Sequence, residues 1–295
     1  MTKIIEEQLF AACQDYSESQ KSLLLRAIDV AKSAHDGQIR KSSGSPYVIH
    51  PLEVAHMLQQ KFDDFALTVS AVLHDTVEDS DHVTMEHIYQ TFGPEIGFIV
   101  DAVTKTELTF HASQESMHSY VEKLMLGGLQ DARCFLLKLA DRDNNMLTLS
   151  TFRSQKQHRI SFETQALFAP LRVILGYDRE ENSIKNVHRR FTSFLTKKKL
   201  STPQQLESYL FDYSFLDFNR ETFEQVYSCA ENIVWEIRDY KNYQKLCKNE
   251  YFDECVQVLS LETDGENFRV KFKFKALPPV MEQNITKFSV STFSA

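Results

Sequence analysis

Apolar residues along most of this chain recur at three- and four-residue spacing, the mark of helices with one buried face. Residues 3–13 and 20–35 both read as helices, the second with Leu23, Ala27, Val30, Ala31 and Ala34 as its buried stripe. Asp36 to Tyr47 carries the Gly, Ser and Pro of a loop. The next helix has Pro51 suited to its first position and His50 at its cap, and it buries Leu52, Ala55 and Leu58. Phe65 through Leu73 is the densest apolar run and predicts a buried central helix over 64–79. Further helices are expected at 84–92, ending at Gly93, from Pro94 to Thr104, and at 114–126, stopped by Gly127-Gly128. Another spans 131–141 and ends in Asp141, and one more runs from Ser161 to Gly176.

The pattern changes around Lys197 to Pro203, which divides the chain into residues 1–200 and 201–295. Helices at 203–211 and 221–247 are expected in the second part, the latter carrying Trp235. Phe268, Val270, Phe272 and Phe274 alternate with Arg269, Lys271, Lys273 and Lys275, the period of a half-exposed antiparallel strand. Glu254 to Leu261 reads as its partner, and the tail from Ile285 as a candidate third strand. The fold class is therefore mostly α, a helical bundle followed by a small α+β extension.

Composition agrees, with 42% hydrophobic and 25% charged residues and only 8 Gly and 7 Pro in 295. A net charge of -8 argues against a nucleic-acid partner, which needs a basic surface, but leaves room for a small phosphorylated ligand in a locally basic cleft. Five cysteines without CxxC spacing read as reduced thiols of a cytoplasmic protein. No signal-peptide core and no run of membrane-spanning length is visible, so no membrane partner is expected.

The chemistry concentrates where buried helices end. His74, Asp75, Glu78 and Asp79 fall within two helical turns of one another, half of a metal site with two carboxylates left to hold water and move protons. His50 and Asp141 stand on two other helix ends. Two imidazoles and two carboxylates suit Mn²⁺, Fe²⁺ or Zn²⁺, and the lack of Cys argues against a closed structural zinc. Arg40-Lys41 lies in the adjoining loop. Taken alone, that pair reads as solvated surface charge.

Several spaced motifs together resemble the HD-domain hydrolases of the RelA/SpoT homologue family, which degrade the alarmones (p)ppGpp. They are Ala34-His-Asp-Gly-Gln-Ile-Arg-Lys-Ser-Ser-Gly, Pro46-Tyr-Val-Ile-His-Pro-Leu-Glu-Val-Ala, Ala71-Val-Leu-His-Asp-Thr-Val-Glu-Asp, Val103-Thr-Lys and Leu136-Leu-Lys-Leu-Ala-Asp-Arg, with Glu163-Thr and Ala169-Pro-Leu-Arg later. The likeness covers roughly residues 20–195. It implies an HD-domain helical bundle and one divalent ion, usually Mn²⁺, held by His50, His74, Asp75 and Asp141. It implies Glu78 and Asp79 as the catalytic acidic pair, His35 beneath the ligands, and Arg40, Lys41, Asn145 and Thr148 as contacts to a nucleotide substrate. The implied reaction removes the 3′-pyrophosphate of (p)ppGpp to give GDP or GTP and pyrophosphate.

The chain departs from the family pattern at Asp143 and Asn144, where the family has Leu and His. Both lie beside the expected nucleotide site, so an adenosine alarmone stays open. So do an NADPH 2′-phosphatase and a catalytically silent alarmone-binding regulator. No synthetase domain is matched. Whether the extension sets a homo-oligomeric state, gates activity or binds a partner, the sequence does not choose.

Overall fold

The computed structural model describes residues 2–40, 44–105, 114–148, 164–180, 182–216, 235–237, 256–263 and 268–275, with single positions between the strands. Helices α1 (Thr2–Ala12), α2 (Glu18–Ala34), α3 (Ile49–Phe62), α4 (Phe65–Leu73), α5 (Met85–Val103), α6 (Gln114–Gln130) and α7 (Arg133–Leu147) come first. A π-helical turn, Thr164–Phe168, leads into α8 (Ala169–Leu175), then α9 (Ile184–Lys198) and α10 (Pro203–Leu216). One apolar cluster runs through them from Leu9 to Leu210. α4, whose residues Ala66 to Leu73 are all buried, contacts α2, α3, α5 and α7.

Local chemistry explains the helix starts. Ser17 and Gln20 form a reciprocal capping box on α2, the Asp64 side chain accepts from the Leu67 amide at 2.7 Å, and Thr84 caps α5 through His87. Within α5 the backbone is non-helical at Gly93, whose φ of 85° turns the chain ahead of Pro94, so the two helices expected on either side meet at a kink. α9 was not anticipated. Its fully buried residues are Val187 and Phe191, with Ile184, Phe194 and Leu195 half-buried against the core and a basic opposite face.

Four expectations about helix bounds need correction. His50 lies inside the first turn of α3, after Ile49, because Val48 is the cap; Pro51 is tolerated there since first-turn amides have no helical acceptor. The central helix stops at Leu73, and His74 to Asp79 follow as turns, held by Asp79 N–H donating to the Asp75 carbonyl. α7 does not end at Asp141 but continues to Leu147. Gly127-Gly128 does not stop α6 either. A Cβ on Gly127 would lie 2.4 Å from the Ala102 Cβ, and one on Gly128 would lie 2.0 Å from the Phe135 ring. These glycines permit close helix packing.

Contacts divide the chain into two compact units, Met1–Asp217 and Phe218–Ala295. α10 belongs to the first, with Leu206 and Leu210 fully buried in its core, although the sequence pattern assigned those residues to the extension. The second unit contains an antiparallel sheet of order β1-β3-β2, formed by β1 (Trp235–Ile237), β2 (Val256–Thr263) and β3 (Phe268–Phe274). Trp235 therefore lies on a strand, not a helix, paired with Phe272. The rest of the helix expected over 221–247 lies almost wholly outside the described residues, as do the tail from Ile285 and Lys41. Val270 and Phe272 are buried while Arg269 is exposed, the expected alternation. The fold is mostly α, with one small sheet among the described residues.

Candidate metal centre and its surroundings

Three elements meet at the site: the first turn of α3, the end of α4 with the turn after it, and the middle of α7. They supply His50, His74 and Asp141, with one ligand atom from each within 4.8 Å of the others. Asp75 completes the group, its oxygens 3.1 Å from His74 Nε2 and 3.7 Å from His50 Nε2.

Hydrogen bonds set which nitrogen of each imidazole faces inward. His74 Nδ1 donates to the Ala71 carbonyl at 2.8 Å, so Nε2 carries the lone pair. That Nε2 is buried without a hydrogen-bond partner. His50 Nδ1 meets Asn144 Oδ1 at 2.8 Å, and its Nε2 faces Asp141 Oδ1 at 3.1 Å. Imidazole lone pairs aimed at carboxylate oxygens repel unless a positive charge lies between them. Burial depresses the His50 pKa, but Asp141 and Asp75 outweigh it and leave it raised. A divalent ion in place of the His50 Nε2 proton would meet two imidazole nitrogens and hard oxygens around one point, a donor set that fits it.

The carboxylates are firmly held. Asp75 accepts from Tyr47 Oη at 3.0 Å, and Asp141 accepts from Lys138 Nζ at 2.7 Å and from Asn145 Nδ2 at 2.7 Å. Burial would raise both pKa values. For Asp141 the Lys138 ammonium and the two imidazoles instead hold it well below the usual carboxylate range, and His74 and His50 lower Asp75 likewise.

The acidic pair differs between its members. Glu78 accepts from the Lys105 amide at 2.6 Å and from Lys105 Nζ at 3.1 Å. Asp79 is raised to about 6, by burial first and then by the charges of Asp75 and Glu78. The His35 ring packs tilted against Tyr47, centroids 4.8 Å apart, and its Nδ1 lies 3.1 Å from Gln38 Oε1 and 3.8 Å from Asp79. Buried Arg40 reaches Thr148 Oγ1 at 3.5 Å and Glu53 at 3.6 Å. Thus Arg40 and Thr148 are neighbours, while Asn145 sits on the Asp141 carboxylate.

Neither departure from the family pattern is loose. Asp143 pairs with Arg172, which also pairs with Asp178 and lies over the Tyr177 ring. Asn144 is committed to His50. Sequence reasoning did not single out Lys138, Tyr47, Glu53 or Lys105. Lys138 and Asn144 were accessible in principle, since both stand three residues from Asp141 and share its helix face.

The family model described as "HD domain" matches residues 27–177, about half of the chain. The chain belongs to the HD-domain family. Among curated relatives, this HD protein is 41% identical over 172 residues to the guanosine-3′,5′-bis(diphosphate) 3′-pyrophosphohydrolase of Vibrio cholerae, covering 58% of this chain and 24% of that protein. It is 31% identical to a probable guanosine-3′,5′-bis(diphosphate) 3′-pyrophosphohydrolase of Synechocystis, over 90% of this chain and 36% of the relative. A GTP pyrophosphokinase of Myxococcus xanthus is 35% identical over 68% of this chain and 27% of its own length. The HD protein thus spans about a quarter to a third of these relatives. Among the described residues no helix is long and apolar enough to cross a membrane.

Proposed function

We propose that this chain is a metal-dependent pyrophosphohydrolase that removes the 3′-pyrophosphate of (p)ppGpp, releasing GDP or GTP and pyrophosphate. We propose Mn²⁺ as its ion, held by His50, His74, Asp75 and Asp141, and the cytoplasm as its compartment. The observation that carries the reading is the convergence of two inward, buried imidazole nitrogens on the half-buried Asp141, within a region similar to enzymes named for this reaction.

A divalent ion at these residues supplies Lewis acidity, lowering the pKa of water and drawing charge from a phosphoryl oxygen. The protein does the rest. Asp79, poised near 6, accepts the proton of the attacking water. Glu78, oriented by two bonds from Lys105, holds that water in line. The new bond forms from water oxygen to the phosphorus on ribose O3′, the O3′–P bond breaks, and O3′ leaves with a returned proton. Arg40, with Thr148 beside it and Lys41 next in sequence, binds and neutralises the nucleotide.

Asp143 and Asn144 both have internal partners, which supports guanosine over adenosine as the base. The test is product analysis after chelation and reconstitution with Mn²⁺. Pyrophosphate and GDP from ppGpp are expected. Release of single orthophosphates, or turnover of NADPH alone, overturns the assignment, and binding without turnover makes the protein a regulator.

A further inference from the structure

We infer that Asn144 and Glu53 form a positioning relay that ties the nucleotide-side arginine, Arg40, to the metal-side imidazole, His50. The inference rests on the functional reading above and concerns two residues that touch neither the ion nor the reacting atoms. Asn144 is 3% exposed, and its amide bridges two elements. Its oxygen lies 2.8 Å from His50 Nδ1, and its nitrogen donates to Glu53 Oε2 at 2.8 Å. The same Glu53 oxygen lies 3.6 Å from the Arg40 guanidinium, which reaches Thr148 on its other edge.

The order of these contacts fixes the chemistry of His50. An amide end is identified by its partners, and an ionised carboxylate can only accept. Glu53 therefore takes the NH₂ of Asn144 and turns the oxygen toward His50. An oxygen there demands N–H on Nδ1, so Nε2 is the nitrogen left facing Asp141 Oδ1 at 3.1 Å, and it offers its lone pair once an ion takes the place of its proton. Glu53 is also the counter-ion that holds the Arg40 guanidinium. A nucleotide phosphate that draws Arg40 away from Glu53 strengthens the bond from Glu53 to Asn144, and with it the orientation of His50. Ion and nucleotide then bind with positive coupling, which must be reciprocal.

The test uses the full chain with Mn²⁺ and GDP as probes. Asn144→Ala should weaken Mn²⁺ about 10- to 100-fold by chelator competition, as loss of a partner behind a ligating imidazole typically does. With diamagnetic Zn²⁺ in place of Mn²⁺, the His50 Nδ1–H held by the Asn144 oxygen should exchange with water faster in Asn144→Ala. Because Asn144 is buried, the double variant Asn144→Asp with Glu53→Gln guards against simple misfolding. It reverses the donor and acceptor between these two positions yet keeps an acceptor on His50, and so should restore Mn²⁺ affinity. Glu53→Gln alone should bind Mn²⁺ within a few-fold of wild type but lose the coupling, about fivefold or more, between Mn²⁺ and GDP. Wild-type protein that binds neither probe overturns the functional reading itself. Wild-type binding with unchanged exchange of the His50 Nδ1–H in Asn144→Ala, or without coupling, overturns the relay alone.

Discussion

Lys138 places its ammonium 2.7 Å from Oδ2 of Asp141, leaving Oδ1 of the same carboxylate facing His50 Nε2 at 3.1 Å. Both residues are on α7, one turn apart, and Lys138 is only 8% exposed. A buried ammonium beside a ligand carboxylate neutralises it when no other cation is near and limits its rotation when one is.

Lys138→Met should therefore destabilise the metal-free protein strongly, by about 3–5 kcal/mol, since it strands a buried carboxylate. Added Mn²⁺ should recover part of the loss by supplying another positive charge. The pH dependence has a defined sign. Asp141 titrates lower when folded than unfolded, so its contribution is present above the ordinary carboxylate range and is lost as the solution is acidified below it. Lys138→Met should flatten that acid limb in thermal melts. Equal destabilisation with and without Mn²⁺, and an unchanged acid limb, would count against this role.

Glu78→Gln should cut turnover about a hundredfold or more while leaving metal content near wild type. The Lys105 bonds hold Glu78 independently of the ligand set. Loss of Mn²⁺ in this variant would move Glu78 from water handling to ligation.

Asp143→Asn should cost no more than about 1 kcal/mol, as expected for a partly exposed pair with Arg172. The ratio of hydrolysis rates for ppGpp and ppApp should not change. A shift of that ratio toward either base would return Asp143 to the nucleotide site.

Gly127→Ala should destabilise by about 1–3 kcal/mol through overpacking against Ala102, although alanine favours helix by about 1 kcal/mol over glycine. Urea unfolding measures the balance. A stabilised variant would show that Ala102 yields and that the glycine is not needed for packing.

A chain ending at Asp217 should fold, bind Mn²⁺ and turn over substrate, whereas one ending at Leu200 should be less stable. The shorter chain loses Leu206 and Leu210 from a core in which both are fully buried. Equal melting temperatures for the two would put the division back at 200/201.

The sequence alone carried the type of most elements in the first unit, the alternation of β3 and the residues that meet at the candidate centre. These are local records: burial at period 3.6 or 2 is written into neighbouring positions, and His74-Asp75 announces itself by adjacency. Tertiary structure decided what depends on partners far along the chain. Gly127 and Gly128 look like a helix stop in sequence, and only the approach of Ala102 and Phe135 makes them packing positions. Trp235 sits in a helical pattern, yet pairing with Phe272 makes it strand, because backbone hydrogen bonding to a neighbour outweighs weak local propensity. The Nδ1 side of His50 meets an amide 94 residues away, which itself donates to Glu53. A proton's position on an imidazole follows from the geometry of its acceptor, and no spacing within one segment encodes that.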